Sequence, residues 1–369
     1  MRAAVFFGPE QGLTVSNDVE IEPPHEEEVL VRLAYSGVCH SDYRVVRGEW
    51  DSALPIVLGH EGAGIVERVG RRVRDVSVGD HVILVWTANC RRCFWCTSGR
   101  PNLCEIVPTT SYLGVLHDGT TRLRLGSIPV YSYSGVGSFA DYAVVPETGA
   151  VRIRPDMPLD KAALIGCAVA TGVGACINTA RVEAGTTALV VGCGGVGLAI
   201  VQGCKLSGAG RIIAADIVER KLAVARQLGA TDVINARGVD LAEAARELTG
   251  GRGVDYAFEA IGNKATIEQI IDAIRPGGTA VVVGEAATGV RVELDPFLLA
   301  DRERVVMGSS YGSIRPSIDF PRLVDLYMRG QLQLDGLVSR VRPLEEVQEA
   351  FDDMGIIAVE RTVLRLGAG

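Results

Sequence analysis

Four of the nine cysteines fall within sixteen residues, Asn89 to Cys104, in the run NCRRCFWCTSGRPNLC. Cys90, Cys93, Cys96 and Cys104 are spaced C-x2-C-x2-C-x7-C. Thiol pairs two residues apart can share one ion, and four thiolates complete a tetrahedral zinc shell. An iron–sulfur cluster also uses four thiolates, but the ferredoxin run goes on with x3-C-P, which is absent here. Zinc is therefore the preferred ion. A closed four-thiolate shell leaves no place for a substrate, so this ion is expected to be structural and the chemistry to lie elsewhere.

A second candidate is the glycine turn Gly192-Cys193-Gly194-Gly195-Val196-Gly197, a G-x-G-x-x-G. It follows the strand-like TALVV, opens a helix-like run, and is followed by RIIAAD, which ends in the acid Asp216. That context separates a dinucleotide site from an idle glycine turn. Gly192 permits the tight turn, Gly194 lets backbone approach a pyrophosphate, and Gly197 lets helix and strand pack closely. A carboxylate at Asp216 can hold both ribose hydroxyls and repels a 2′-phosphate, which favours NAD over NADP. Arg220 and Lys221, just beyond, temper that preference or form a solvated helix face.

The remaining metal-competent residues lie apart. GVCHSD holds Cys39, His40, Ser41 and Asp42, and GHEGAG holds His60 and Glu61. A cysteine and a histidine twenty-one residues apart read by themselves as a buried thiol and a satisfied core imidazole.

The 369 residues that must position these groups imply two domains. Up to about residue 150 the chain reads as short strands, EEVLVRLAYSGVC and EGAGIVERVG among them. From near Lys161 strands and helices alternate, as in βαβ units of a parallel sheet. Past Gly308 the alternation stops. The expected fold is α/β, a mostly-β domain (1–168 and 312–369) interrupted by a doubly wound one (169–311). Net charge is −8, which disfavours nucleic acid and anionic membrane as partners. No targeting segment is evident, and ALVVGCGGVGLAIVQG is too short and glycine-rich for a membrane span. A cytoplasmic protein with metal-bound or free thiols is expected.

Taken in order, GVCHSD, GHEGAG, the four-cysteine loop, GCAVATGVGA, GCGGVG with Asp216, and ERTVLRL resemble the zinc-containing medium-chain alcohol dehydrogenases over nearly the whole chain. The segment DGTTRLRLGSIPVYSYSGVGSFADYAVV is similar to a loop of the longer, typically dimeric branch. The resemblance implies a GroES-like catalytic domain, a Rossmann domain, NAD, two zinc ions per subunit and a homodimer. It assigns the catalytic zinc to Cys39, His60 and Cys167, an open set of two thiolates and one imidazole. Glu61 would be a transient ligand, Asp42 would orient His60, and Ser41 would relay the substrate proton. His40 and Arg361 would face the pyrophosphate, Thr171 and Val196 the nicotinamide, and Lys221 the adenosine ribose.

One position departs from the family. Many members have a histidine five residues after the first ligand, where this chain has Arg44; a guanidinium is a poor base, so either water or Tyr43 replaces it in the relay or proton release is slower. Trp50, Trp86 and Tyr133 would line the pocket, unless a tryptophan only packs the core. The expectation is reversible oxidation of an aliphatic or aromatic primary alcohol to its aldehyde. The rival within the class is a formaldehyde dehydrogenase dependent on glutathione or mycothiol, for which no clear anion-receiving set is visible. A zinc-stabilised binding module is the rival from outside it.

Overall fold

The apolar, β-branched segment Glu28–Gly37 forms a ten-residue strand to which the rest of its sheet is anchored. Along one edge it pairs antiparallel with Glu61–Val69. Along the other, Tyr142–Pro146 takes its first half and Thr362–Arg365 its second. The register sets Gly37 opposite both Glu61 and Val363, so three distant stretches of chain end at one point.

In this computed structural model, residues 1–355 and 361–367 are described, so Glu360 of ERTVLRL lies outside them. The first unit, Met1–Cys167 with Arg315–Gly369, contains a sheet of seven strands and another of six among those residues. Phe6, Leu33, Phe139 and Phe351 are among the side chains closing its core.

The second unit, Ala168–Ile314, is a six-stranded parallel sheet. Its order runs Asp232–Asn235, Arg211–Asp216, Thr187–Val191, Val254–Glu259, Ile274–Val282, Val305–Gly308. Every residue of Thr187–Val191 is buried, as in a strand covered on both faces. The winding reverses at this strand, the switch point where doubly wound sheets bind ligands, and the glycine turn leaves its carboxyl end.

The unit boundaries lie one and three residues from the expected ones. The first break falls inside an unbroken helical run, Leu159–Ala180, where no change of composition marks it. This run, rather than the glycine-rich window, is the described helix long and apolar enough to cross a membrane, and 72% of its window is buried inside the protein.

Candidate active site

Cys39 caps the helix His40–Val46 two residues after the end of the strand Glu28–Gly37, and His60 immediately precedes the strand Glu61–Val69. Because Gly37 pairs with Glu61, the two side chains project from neighbouring strand ends. Cys167 joins them from a π-helical turn, Ile165–Val169, a distortion often found at functional sites. Gly166 lets that turn press on the sheet: a Cβ there would meet the Leu84 carbonyl at 3.2 Å. Ligand atoms of Cys39, His60, Glu61 and Cys167 all lie within 4.8 Å of one another.

Asp42 fixes this arrangement. Fully buried, it accepts from the backbone N–H of Cys39 at 3.1 Å and of Gly59 at 3.0 Å, and lies 3.2 Å from His60 Nδ1. That contact leaves Nε2 of His60 to face an ion. Burial by itself would lower the His60 pKa, but the charge and hydrogen bond of Asp42 carry it well above the usual imidazole range. Hydrogen bonding from Cys167 pushes Cys39 far down, and the same contact pushes Cys167 up.

Burial raises the Glu61 carboxyl to about 7 although Arg361 opposes the shift. Its Oε2 accepts from Arg361, while its buried Oε1 has no hydrogen-bond partner. Two thiols, an imidazole and an orphaned carboxylate oxygen suit a zinc ion with an open position. Arg361 is buried against Glu61, because the strand Thr362–Arg365 delivers it to Gly37.

The four-cysteine loop closes on itself. Cys93 Sγ lies 3.5 Å from Cys96 Sγ and 3.8 Å from Cys104 Sγ. The N–H groups of Cys90 and Cys93 donate to the sulfurs of Cys104 and Cys90. Such amide bonds favour thiolates: the backbone near Glu105 leads the causes that bring Cys93 down to about 6, while burial raises Cys96 and Cys104. The set fits a closed zinc shell. A third acid–histidine group, His25, Glu28 and Asp118, already surrounds the Arg122 guanidinium, which bonds to all three.

In the second unit Gly192 adopts φ +92°, and a Cβ on Gly197 would lie 1.7 Å from the Gly192 carbonyl oxygen. A Cβ on Gly194 would meet nothing within 4 Å, leaving open space above the start of helix Gly195–Leu206, which suits a pyrophosphate. The Asp216 carboxylate accepts from the N–H groups of Cys193 and Val218, which fixes it at the end of its strand. Thr171 and Val196 are both half-buried, and the intervening close approach is made by Gly172, whose Cβ would meet the Val196 carbonyl at 2.5 Å. Lys221 is half-buried in helix Glu219–Leu228.

Around the first-unit metal site, Ser41 Oγ lies 3.8 Å from Cys39 Sγ. The Tyr133 hydroxyl donates to the Ser41 carbonyl at 3.4 Å, and its ring stands edge-on to His60 at 5.6 Å. Trp50 and Trp86 are half-buried against the first unit's core. His40 is exposed, with its ring edge-on to Tyr43. Two pairings were not anticipated from sequence: Glu61 with Arg361, and Arg44 over the Trp50 ring at 5.1 Å. Only the unusual Arg44 flagged the second; strand register, invisible in sequence, sets the first.

Comparison with known proteins matches residues 25–155 to the alcohol dehydrogenase GroES-like domain and residues 195–329 to the zinc-binding dehydrogenase family. A probable S-(hydroxymethyl)glutathione dehydrogenase 1 of Schizosaccharomyces pombe is 41% identical over 356 residues, 96% of this chain and 93% of that protein. Alcohol dehydrogenase class-3 of Drosophila melanogaster is 40% identical over 96% of this chain and 94% of its own length. Among solved structures, benzyl alcohol dehydrogenase from Acinetobacter calcoaceticus superposes with a TM-score of 0.94 at 33% identity, covering 99% of each chain.

Proposed function

Since the chain belongs to the zinc-binding alcohol dehydrogenase family, in which a GroES-like domain accompanies a nucleotide-binding one, we propose that it oxidises S-(hydroxymethyl)glutathione with NAD. The convergence of Cys39, His60 and Cys167 carries the reaction class. The substrate reading is supported by relatives at about 40% identity over nearly their full lengths, whose names specify that adduct, rather than by the simple alcohol expected from the aromatic residues.

Cys39, His60 and Cys167 would hold a zinc ion, which would supply a Lewis acid that lowers a hydroxyl pKa toward about 7, and NAD would supply the hydride acceptor. The hydroxymethyl C–H bond breaks with its electron pair, the O–H proton leaves, and the product is the S-formyl thioester. Ser41 Oγ, beside Cys39, takes that proton, while Tyr133 holds the Ser41 backbone in place. Arg44, whose guanidinium has no acceptor atom, ends the relay. Tyr43 is held between Phe351 and the Arg47 guanidinium, so water carries the proton onward.

A second reading, a neutral primary alcohol, is favoured by the ring of Tyr133 against His60 and by the similarity to benzyl alcohol dehydrogenase. Absorbance of reduced nicotinamide separates the two. Formaldehyde should be oxidised rapidly only with added glutathione; equal rates without thiol, and a faster rate with benzyl alcohol, would establish the second reading instead. Mycothiol belongs in the same panel.

The proposal extends to a homodimer in the cytoplasm. Val305–Gly308 is an edge strand with Val305 and Val306 exposed, and nearby in sequence Phe297 is 69% exposed. Such an edge invites pairing with a second copy, and a monomer mass in sedimentation would remove the dimer. All the described cysteines are free thiols, which suits a reducing compartment.

A further inference from the structure

The helix His40–Val46 that presents Ser41 is followed by Gly48 at φ +69°, a conformation that glycine adopts without strain. The N–H groups of Glu49 and Trp50 then donate to the Arg44 carbonyl at 2.9 and 3.4 Å. This turn folds Trp50 back against the Arg44 side chain, whose guanidinium carbon lies 5.1 Å from the ring centroid. The stack fixes a planar cation while leaving its edge donors free for a carboxylate.

Among the described residues no carboxylate pairs with Arg44, although the chain has 45 acids against 37 lysines and arginines. Arg47, on the next residue after the same helix, is paired with Glu49 at 3.1 Å. Arg44 is half-buried, three residues from Ser41 and on the same side of the helix. It lies five residues beyond Cys39, about 7.5 Å along the axis.

We propose that Arg44, stacked on Trp50, receives a carboxylate carried by the substrate, so that the site selects anionic over neutral primary alcohols. This deepens the reading given under the proposed function and rests on it, since the glutathione adduct carries two carboxylates. It also supplies the anion-receiving group that sequence alone did not reveal.

The test compares kcat/KM for S-(hydroxymethyl)glutathione, a long-chain ω-hydroxyalkanoate and the neutral alkanol of equal length, in wild type, Arg44→Gln and Arg44→Lys. The anionic-to-neutral ratio should fall about tenfold in Arg44→Gln, through KM rather than kcat, and recover in part in Arg44→Lys, which keeps the charge without the fork. In wild type the ratio should also fall as salt is added. A ratio unchanged by both substitution and salt overturns the proposal.

The two readings fail separately. Oxidation of the glutathione adduct with an Arg44-independent ratio keeps the thiol substrate and removes Arg44. An Arg44-dependent preference for the ω-hydroxyalkanoate, with the adduct ignored, keeps Arg44 and removes the thiol. Should Arg44→Gln lose zinc, Arg44→Lys and the wild-type salt dependence decide.

Discussion

Cys90 and Cys104 are fourteen residues apart and meet through a few tight turns of one loop, whereas Cys39 and Cys167 are 128 residues apart and meet through a sheet. In the loop, backbone N–H groups of Cys90 and Cys93 point at the sulfurs, so the ligands' own chain shapes the shell. At the dispersed site the shape comes from the pairing of Gly37 with Glu61, the buried Asp42 and a π turn. The loop spends all four ligand positions on holding itself together. The dispersed set contributes two thiolates and one imidazole, and the folded sheet beneath can afford an open side. Local ligands stabilise a fold; ligands assembled by the fold are free to do chemistry.

The largest effect should come from Cys167→Ser. Removing one ligand from the dispersed set should lower kcat/KM by about 10³-fold or more, since the Lewis acid contributes several kcal/mol to the barrier. Bound zinc should drop from two ions to one with the melting temperature nearly unchanged. A large fall in melting temperature would break the comparison, because it would make this ion structural too.

Cys104→Ser should do the reverse. Cys104 is the buried member of its set. Its loss should release the other zinc and cost roughly 3 kcal/mol or more, because binding free energy at a structural site is folding free energy. For a unit of this size that is a drop of roughly 6–12 °C. Activity per folded molecule should stay within a few-fold, and limited proteolysis should find new cuts in 89–104. Retained stability with lost activity would sink the structural assignment.

The same contrast governs what could be read before any coordinates. The four-cysteine loop and the glycine turn were legible because their ligands and context lie within a few dozen residues. The dispersed site was not, since its residues meet only through the registers of Gly37 with Glu61 and with Val363. Resemblance placed Cys39, His60 and Cys167 in one set, but it did not show that strand pairing buries the Arg361 guanidinium on Glu61. The two-unit plan showed in the change from strands to alternating elements. Its first boundary did not, because it lies within the continuous apolar helix Leu159–Ala180.

A smaller effect is expected at Asp42, which touches no ion yet holds Cys39, Gly59 and His60. Asp42→Asn preserves shape but removes the charge that supports the imidazole. Losses of this kind cost about 10–100-fold in metal affinity or activity. The drop should appear at the dispersed site alone, with the loop zinc retained through dialysis against a mild chelator. Loss of both ions together would mean that the sites are not independent.

Two glycines give the finest comparison. A Cβ on Gly37 would lie 2.0 Å from Glu61 Oε2 and 3.2 Å from the Arg361 guanidinium, so Gly37→Ala must displace a buried ion pair. Overpacking of this kind costs roughly 1–3 kcal/mol, and the displaced carboxylate lies beside the metal ligands, so activity should fall with stability. Gly99 in the loop has nothing within 4 Å of a Cβ, but its φ is +81°. Gly99→Ala should therefore cost only about 1 kcal/mol of backbone strain, with turnover unchanged. If turnover fell equally in both, the loop would be coupled to the chemistry, and the division of labour between the two centres would have to be given up.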